Sequence, residues 1–423
     1  MNDKFAKLER LNFWNNKLPF VGLKRFLYLN KIEDFIGNKL VKVLVGQRRV
    51  GKSYLLRQII LSLIDKGVNP KNIIYINKEY TDFDFISDYV ELEKLIINYK
   101  EKMTPQGKVY LFIDEIQNII GWERLINSYS QDFVENYEIF ITGSNSELLS
   151  GELATLLSGR YIQFEIFPFC FSEYTRINNL ELSKASYMQF MQTGGLPDLY
   201  NLPNDETKMH YLSAIRDTIL LRDIVSRYNI KDPRLLSDIF AYLINNVSNL
   251  ISINNIVNYF ISKNRKTNYE TIANYIQYLQ NSFLIHRVER YNIKGKDIVS
   301  GTNKYYINDL SFKNYLYSGF NHRIGYLLEN LVYSQLRVSG FTVYTGAIRN
   351  KEIDFIATKA SRKIYVQVSY LLYDAKTIER EYSELEKIRD NYEKIVVSLD
   401  DIKMPSRNGI NHLLAWQLDD FLR

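Results

Sequence analysis

The chain has 423 residues, with 54 Lys and Arg against 48 Asp and Glu and a formal net charge of +6. That length exceeds what one hydrophobic core usually serves, so several domains are expected, and the mild positive excess permits nucleic-acid contact without requiring it. One cysteine, Cys170, excludes an intrachain disulfide or a cysteine metal cluster, and four histidines leave little for a zinc site. Cysteine usage fits a reducing compartment. No segment has the apolar core of a signal peptide or the roughly 18 uncharged residues of a membrane span, so the expectation is a soluble, cytoplasmic protein with no membrane partner.

Pro19 to Ile36 places Phe20, Leu23, Phe26, Leu27 and Leu29 at helical spacing, which predicts an amphipathic helix. The apolar run Val43-Leu44-Val45 then enters Gly46-Gln47-Arg48-Arg49-Val50-Gly51-Lys52-Ser53, and Tyr54-Leu55-Leu56-Arg57 continues as a helix to about Asp65. The spacing G-x-x-x-x-G-K-S lets the backbone curl until successive N–H groups converge on phosphate oxygens at a helix N-terminus. Gly46 to Tyr54 are therefore the candidate ATP contacts: Lys52 reaches the β- and γ-phosphates, and the Ser53 hydroxyl binds Mg²⁺.

Asn72 to Asn77 predicts a buried parallel strand, and about Leu92 to Lys102 a helix. Lys108-Val109-Tyr110-Leu111-Phe112-Ile113-Asp114-Glu115 is a second buried strand, ending in adjacent carboxylates. At the C-terminal edge of a parallel sheet beside a phosphate loop, Asp114 is placed to hold Mg²⁺ through water and Glu115 to orient and deprotonate the attacking water. An acidic strand end that caps a solvated helix is the competing reading. A third strand, Glu138 to Asn145, ends in small polar residues. Ser144, with Asn145 second, is the candidate sensor of the γ-phosphate, although a helix N-cap at Ser144 or Ser146 explains the same residues. A helix over Glu147–Leu157, then Ser158-Gly159-Arg160 and a strand over Tyr161–Ile166, complete an α/β parallel sheet.

Residues Val21 to about Tyr174 resemble a prokaryotic AAA+-type P-loop ATPase. Gly46-Gln47-Arg48-Arg49-Val50-Gly51-Lys52-Ser53 carries that resemblance with Leu111-Phe112-Ile113-Asp114-Glu115, Thr142-Gly143-Ser144 and Leu157-Ser158-Gly159-Arg160. It implies that Arg160 is an arginine finger acting on a neighbouring subunit's γ-phosphate, and hence that copies of the chain assemble. A structural salt bridge for Arg160 remains an alternative.

The expected domains are the ATPase over 1–174, a helical lid over 175–230, a winged helix over 231–310 and a restriction-endonuclease-like α/β domain over 311–423. In the lid, Arg216 and Arg222 are more simply read as solvated than as nucleotide contacts. Three helices, about Leu235–Asn245, Ile253–Tyr259 and Tyr269–Gln280, precede a hairpin. Lys263 to Asn268 and the hairpin's Arg287, Arg290, Lys294 and Lys296 offer charge to DNA phosphates, and a winged helix equally serves protein contacts. Beyond it, Glu329 on a helix, Asp354 opening a strand and Gln367-Val368-Ser369 in the next resemble a nuclease constellation. Gln367 stands at its acid position and Ser369 at its lysine position, so an inactive domain is expected. The middle and last thirds resemble a domain of unknown function that follows this ATPase in bacteria and archaea. The function expected is ATP hydrolysis coupled to a DNA- or partner-binding module. A defence or regulatory switch with little turnover and an ATP-driven Mg²⁺-dependent nuclease are the alternatives.

Overall fold

A computed structural model describes residues 2–15, 19–149, 157, 159–318, 324–348 and 351–423. The chain divides into two compact units, Met1–Ile166 and Phe167–Arg423.

In the first unit, strands β1 (Val41–Val45), β2 (Ile73–Asn77), β3 (Val109–Asp114), β4 (Tyr137–Gly143) and β5 (Tyr161–Glu165) form one parallel sheet in the order β2-β3-β4-β1-β5. Continuous apolar runs suit this arrangement because helices cover both faces of a parallel sheet. Lys42 is the exception on β1: it is wholly buried and ion-paired with Glu138 on β4, which also takes Lys108 at 2.9 Å. Among the described residues, this unit also holds the helices α1 (Asn2–Leu11), α2 (Phe26–Glu33), α3 (Lys52–Asp65), α4 (Tyr89–Met103) and α5 (Trp122–Gln131).

The N-terminal segment closes the open edge at β2. Asn12 exchanges two hydrogen bonds with the Tyr75 backbone, at 3.0 and 2.7 Å, and the Trp14 indole donates to the Ile73 carbonyl at 2.7 Å. Pairing of this kind blocks the association that an exposed edge strand invites.

The single helix expected over Pro19–Ile36 is shorter. Gly22 adopts φ 67°, and the Gln58 side chain straps the stretch before α2, donating to the Val21 and Leu23 carbonyls at 2.8 Å each and accepting the Arg25 N–H at 3.0 Å. Those backbone groups are bonded outside a helix, so the helix begins at Phe26. Most of the helix expected over Glu147–Leu157 lies outside the described residues; its described start is a 3₁₀ turn, Ser146–Leu149.

The second unit opens with helices Phe171–Ile177, Lys184–Thr193 and Asp205–Asp217, the last continuing as a π-helical segment, Thr218–Val225. The break at Gly194-Gly195 is a packing requirement: a Cβ on Gly195 would meet the Phe169 carbonyl oxygen at 2.3 Å. Helices Pro233–Asn245, Ile253–Ser262 and Tyr269–Asn281 precede the hairpin of β7 (Ile285–Asn292) and β8 (Asp297–Ile307), and the short β6 (Leu250–Ile251) pairs with β8. The helix Ile324–Val338 leads to β9 (Thr342–Ile348), β10 (Lys351–Lys359) and β11 (Arg362–Ser369). The helix Ala375–Glu386, β12 (Glu393–Ser398), β13 (Ile410–Leu414) and the helix Leu418–Leu422 follow.

Among the described residues, the eight strands β6 to β13 join one mixed sheet, in the order β13-β12-β11-β10-β9-β7-β8-β6. β7 and β9 run parallel, with Arg290 opposite Thr345 and Asn292 opposite Ala347, so hairpin and C-terminal strands pair directly across residues 310 and 311.

Candidate functional site

The phosphate loop is shaped by backbone that ordinary residues resist. Gly46 has φ 152°, and a Cβ on it would stand 2.3 Å from the Ile166 carbonyl oxygen. Arg49 and Gly51 take φ 70° and 95°, after which α3 begins at Lys52. The loop thus delivers successive N–H groups to a helix N-terminus, where anions are favoured. Gln47 and Val50 are buried beneath it, and the Arg25 guanidinium supports it by donating to the Val50 carbonyl at 3.1 Å. Arg48 pairs with Glu79 at 2.5 Å, Arg49 is exposed, and Tyr54 lies partly exposed with the Arg57 guanidinium 4.3 Å over its ring.

Lys52 is buried, and its ammonium donates to the Gly46 and Gln47 carbonyls at 2.9 and 3.1 Å while standing 3.7 Å from Glu115. Asp114, at the end of β3, is completely buried. It accepts from the Thr142 hydroxyl at 2.5 Å, the Asn77 amide at 3.0 Å and the Tyr75 hydroxyl at 3.1 Å. Burial raises its pKa, the neighbouring Glu115 charge adds to that, and hydrogen bonds from Ser53 and Thr142 oppose it. The Ser53 hydroxyl beside the Asp114 carboxylate is an all-oxygen donor pair that suits a hard, partly hydrated cation such as Mg²⁺.

Glu115 sits at φ 54°, a left-handed turn that directs its carboxylate away from the strand line, and its N–H donates to the Thr142 hydroxyl at 2.9 Å. Burial would raise its pKa. The charges of Lys52 and Arg48, with hydrogen bonds from Gln117 and Ser144, outweigh burial and hold it below the usual carboxylate range. The Gln117 amide donates to Glu115 at 2.5 Å and reaches Ser144 at 3.4 Å. Gly143 makes room for it, since a Cβ there would meet Gln117 Oε1 at 2.9 Å. Lys52, Ser53, Asp114, Glu115 and Ser144 therefore share one site, with Asn145 buried next to Ser144.

Sequence reasoning missed Gln117, the Thr142 clamp, Asn77 and Tyr75. Asn77 pairs in register with Asp114, so a polar residue closing an otherwise apolar strand was the available signal.

Arg160 is not in this cluster. It is exposed and precedes β5, and its carbonyl accepts the Val41 N–H at the start of β1. The phosphate loop follows the other end of β1, about 16 Å away for five residues at roughly 3.3 Å each. Among the lid and winged-helix candidates, Arg216 bonds Asp217 and Ser213, Arg265 pairs with Asp232 and Asp238, Arg287 pairs with Glu289 and Arg290 donates to Thr302. Lys263, Lys266, Lys294 and Lys296 are exposed.

The second unit brings Glu329, Asp354, Gln367 and Ser369 together on a cavity of about 770 Å³. Lys304, from β8, enters the same group: its ammonium lies 2.8 Å from Glu329, 2.5 Å from Glu352 and 3.5 Å from Asp354. Burial would lower the Lys304 pKa, but the charges of Glu329, Asp354 and Glu352 hold it well above the usual range.

The parallel order β2-β3-β4-β1-β5, with the phosphate loop at the end of β1 and the acid pair at the end of β3, defines a P-loop fold of the AAA type. Residues 38–175 match the model of an AAA domain, and residues 184–323 match a domain of unknown function (DUF8612). An uncharacterized protein of Haemophilus influenzae is 35% identical over 403 residues, covering 94% of this chain and 98% of that protein. Another, from Methanocaldococcus jannaschii, is 33% identical over 367 residues, covering 83% and 79%. The chain belongs to this family of AAA+-type P-loop ATPases with a C-terminal domain of unknown function. AMPPCP-bound DnaA from Aquifex aeolicus is similar in fold at 20% identity and a TM-score of 0.32, covering 63% of this chain and 90% of that one.

Proposed function

We propose that the protein binds ATP with Mg²⁺, hydrolyses it, and couples its nucleotide state to the second unit acting on DNA or a protein partner. The convergence of Lys52, Ser53, Asp114 and Glu115 on one end of the sheet carries this reading. The loop N–H groups of Gly46 to Ser53 cradle the phosphates, and Lys52 exchanges its two carbonyl contacts for phosphate oxygens. Ser53 and Asp114 hold Mg²⁺, which when bound offsets the charge developing on the phosphates. Glu115, kept ionised by Lys52 and Arg48, orients a water and takes its proton. Ser144 and Gln117 fix the direction of that carboxylate and sense the γ-phosphate beside it. Arg160 acts in trans, because its place at the far end of the sheet suits a neighbouring subunit's phosphate better than its own.

Residues 175–230 serve as a lid, 231–310 as a winged helix whose exposed Lys263, Lys266, Lys294 and Lys296 meet phosphates, and 311–423 as a binding domain of nuclease-like ancestry. Electrostatic contacts of this kind weaken as salt rises.

The test is ATP hydrolysis as a function of protein concentration, with and without single- and double-stranded DNA. Turnover per subunit that rises with concentration and falls at least tenfold on Arg160→Ala supports hydrolysis between subunits. Slow turnover independent of concentration and of Arg160 supports instead a regulatory switch working as single chains.

A further inference from the structure

The carboxylates of the second cleft are those a divalent cation would need, yet the residues present do not fit one. Ser369 stands where a catalytic lysine is expected, and its hydroxyl donates to the Leu371 carbonyl at 3.3 Å. The Gln367 carbonyl oxygen is turned to the Asp354 N–H at 3.4 Å. One Asp354 oxygen accepts the Val368 N–H at 2.8 Å, and its other faces Lys304. Glu329 Oε1 accepts from both Lys304 and the Tyr306 hydroxyl, at 2.8 and 2.7 Å. The remaining acids have cations of their own: Glu381 pairs with Arg380 at 2.5 Å, and Glu384 with Lys387 at 2.8 Å. Among the described residues no three His, Cys, Asp or Glu are arranged to hold a metal ion.

Lys304 is fixed where it stands. It lies in the middle strand of three, paired to Val288 on β7 and to Leu250 on β6, and is only 4% exposed on its side chain. An ammonium has three N–H donors, and three carboxylates surround this one. A divalent cation bound at 2.0–2.6 Å to the same oxygens would have to displace that ammonium or sit against its charge.

We propose that the Lys304 ammonium is the built-in cation of this cleft, replacing a divalent metal between Glu329, Glu352 and Asp354. It rests on the reading of residues 311–423 as a binding rather than a cutting domain. The cleft is thus closed to Mg²⁺ and Mn²⁺ chemistry while its carboxylates stay ordered. Removing the ammonium should open a metal site where none exists.

The experiment titrates Mn²⁺ into the nucleotide-free full chain, followed by its paramagnetic resonance signal, in an Asp114→Asn background that removes the acid at the end of β3 beside the phosphate loop. With Lys304 in place, no Mn²⁺ is expected to bind below about 1 mM, where a two-carboxylate site would be occupied. Lys304→Met and Lys304→Gln should each gain one site at least tenfold tighter, and Asp354→Asn in the same chain should remove it. One Mn²⁺ bound per chain with Lys304 intact overturns the proposal, as does a folded Lys304→Gln chain that gains no site. Should neither variant fold, the chain with Lys304 intact decides alone. DNA cleavage assayed in the same samples separates the two readings. With Lys304 intact, Mn²⁺ binding without cleavage overturns the built-in cation only, whereas binding with cleavage overturns the non-cutting domain as well.

Discussion

Each unit sets a buried lysine against paired carboxylates, and the two lysines differ in what they are tied to. Lys52 donates to two backbone carbonyls and stands 3.7 Å from Glu115. Lys304 is bracketed by three acids, two of them within 2.8 Å. A lysine on neutral carbonyls gives up little when a phosphate arrives, whereas one that compensates buried charge cannot leave without stranding it. The first arrangement suits a transferable contact and the second a fixed one.

That contrast is open to breakage. Lys52→Ala should make ATP turnover undetectable, with thermal stability shifted by only a few degrees; unchanged turnover in a coupled phosphate-release assay would break the comparison at its functional end. Lys304→Ala should cost about 3–5 kcal/mol in denaturant unfolding of the second unit, the usual result of stranding one side of a buried ion pair. A loss under about 1 kcal/mol, typical of surface pairs, would break it at the structural end.

Asp309 sharpens the comparison by showing a buried acid held by the N–H groups of Gly195 and Ser311, at 2.6 and 2.9 Å, rather than by a lysine. Burial pushes it up to about 6. The folded chain then binds this proton more tightly than the unfolded one, so its contribution is complete below about pH 4 and is lost as pH rises to about 6. The loss is on the order of 3 kcal/mol. Asp309→Asn should flatten that part of the stability profile in melts at pH 4.5 and 7; an unchanged slope would assign the dependence elsewhere. Smallest in effect, Gln117→Ala should lower turnover about tenfold with ATP affinity nearly unchanged, as loss of one orienting hydrogen bond predicts.

The first unit was legible because its chemistry is written contiguously. Gly46 to Ser53 and Asp114-Glu115 carry their proposed roles in local spacing, and the apolar runs at β1, β3 and β4 announce buried parallel strands. What escaped was nonlocal. Gln117 and Thr142 matter only because β3 and β4 lie side by side, and α1 with Trp14 matters because β2 is an edge. In the second unit β9 and β13 were unseen, since Thr342–Ile348 contains a glycine and Ile410–Leu414 is short and interrupted by polar residues. The sheet that joins β7 to β9 could not be read from either segment alone. Lys304 was invisible for the same reason: it reaches Glu329 and Asp354 from a strand assigned by sequence to another domain.

The central claim is that Glu115 acts on the attacking water while the loop holds the nucleotide. It is tested most directly by measuring ATP affinity and turnover together in wild type and Glu115→Gln. The geometry predicts affinity within a few fold of wild type and turnover lower by about 10²–10⁴, the usual contribution of a positioned base. Loss of affinity in parallel with turnover, or turnover that survives the substitution, would contradict it.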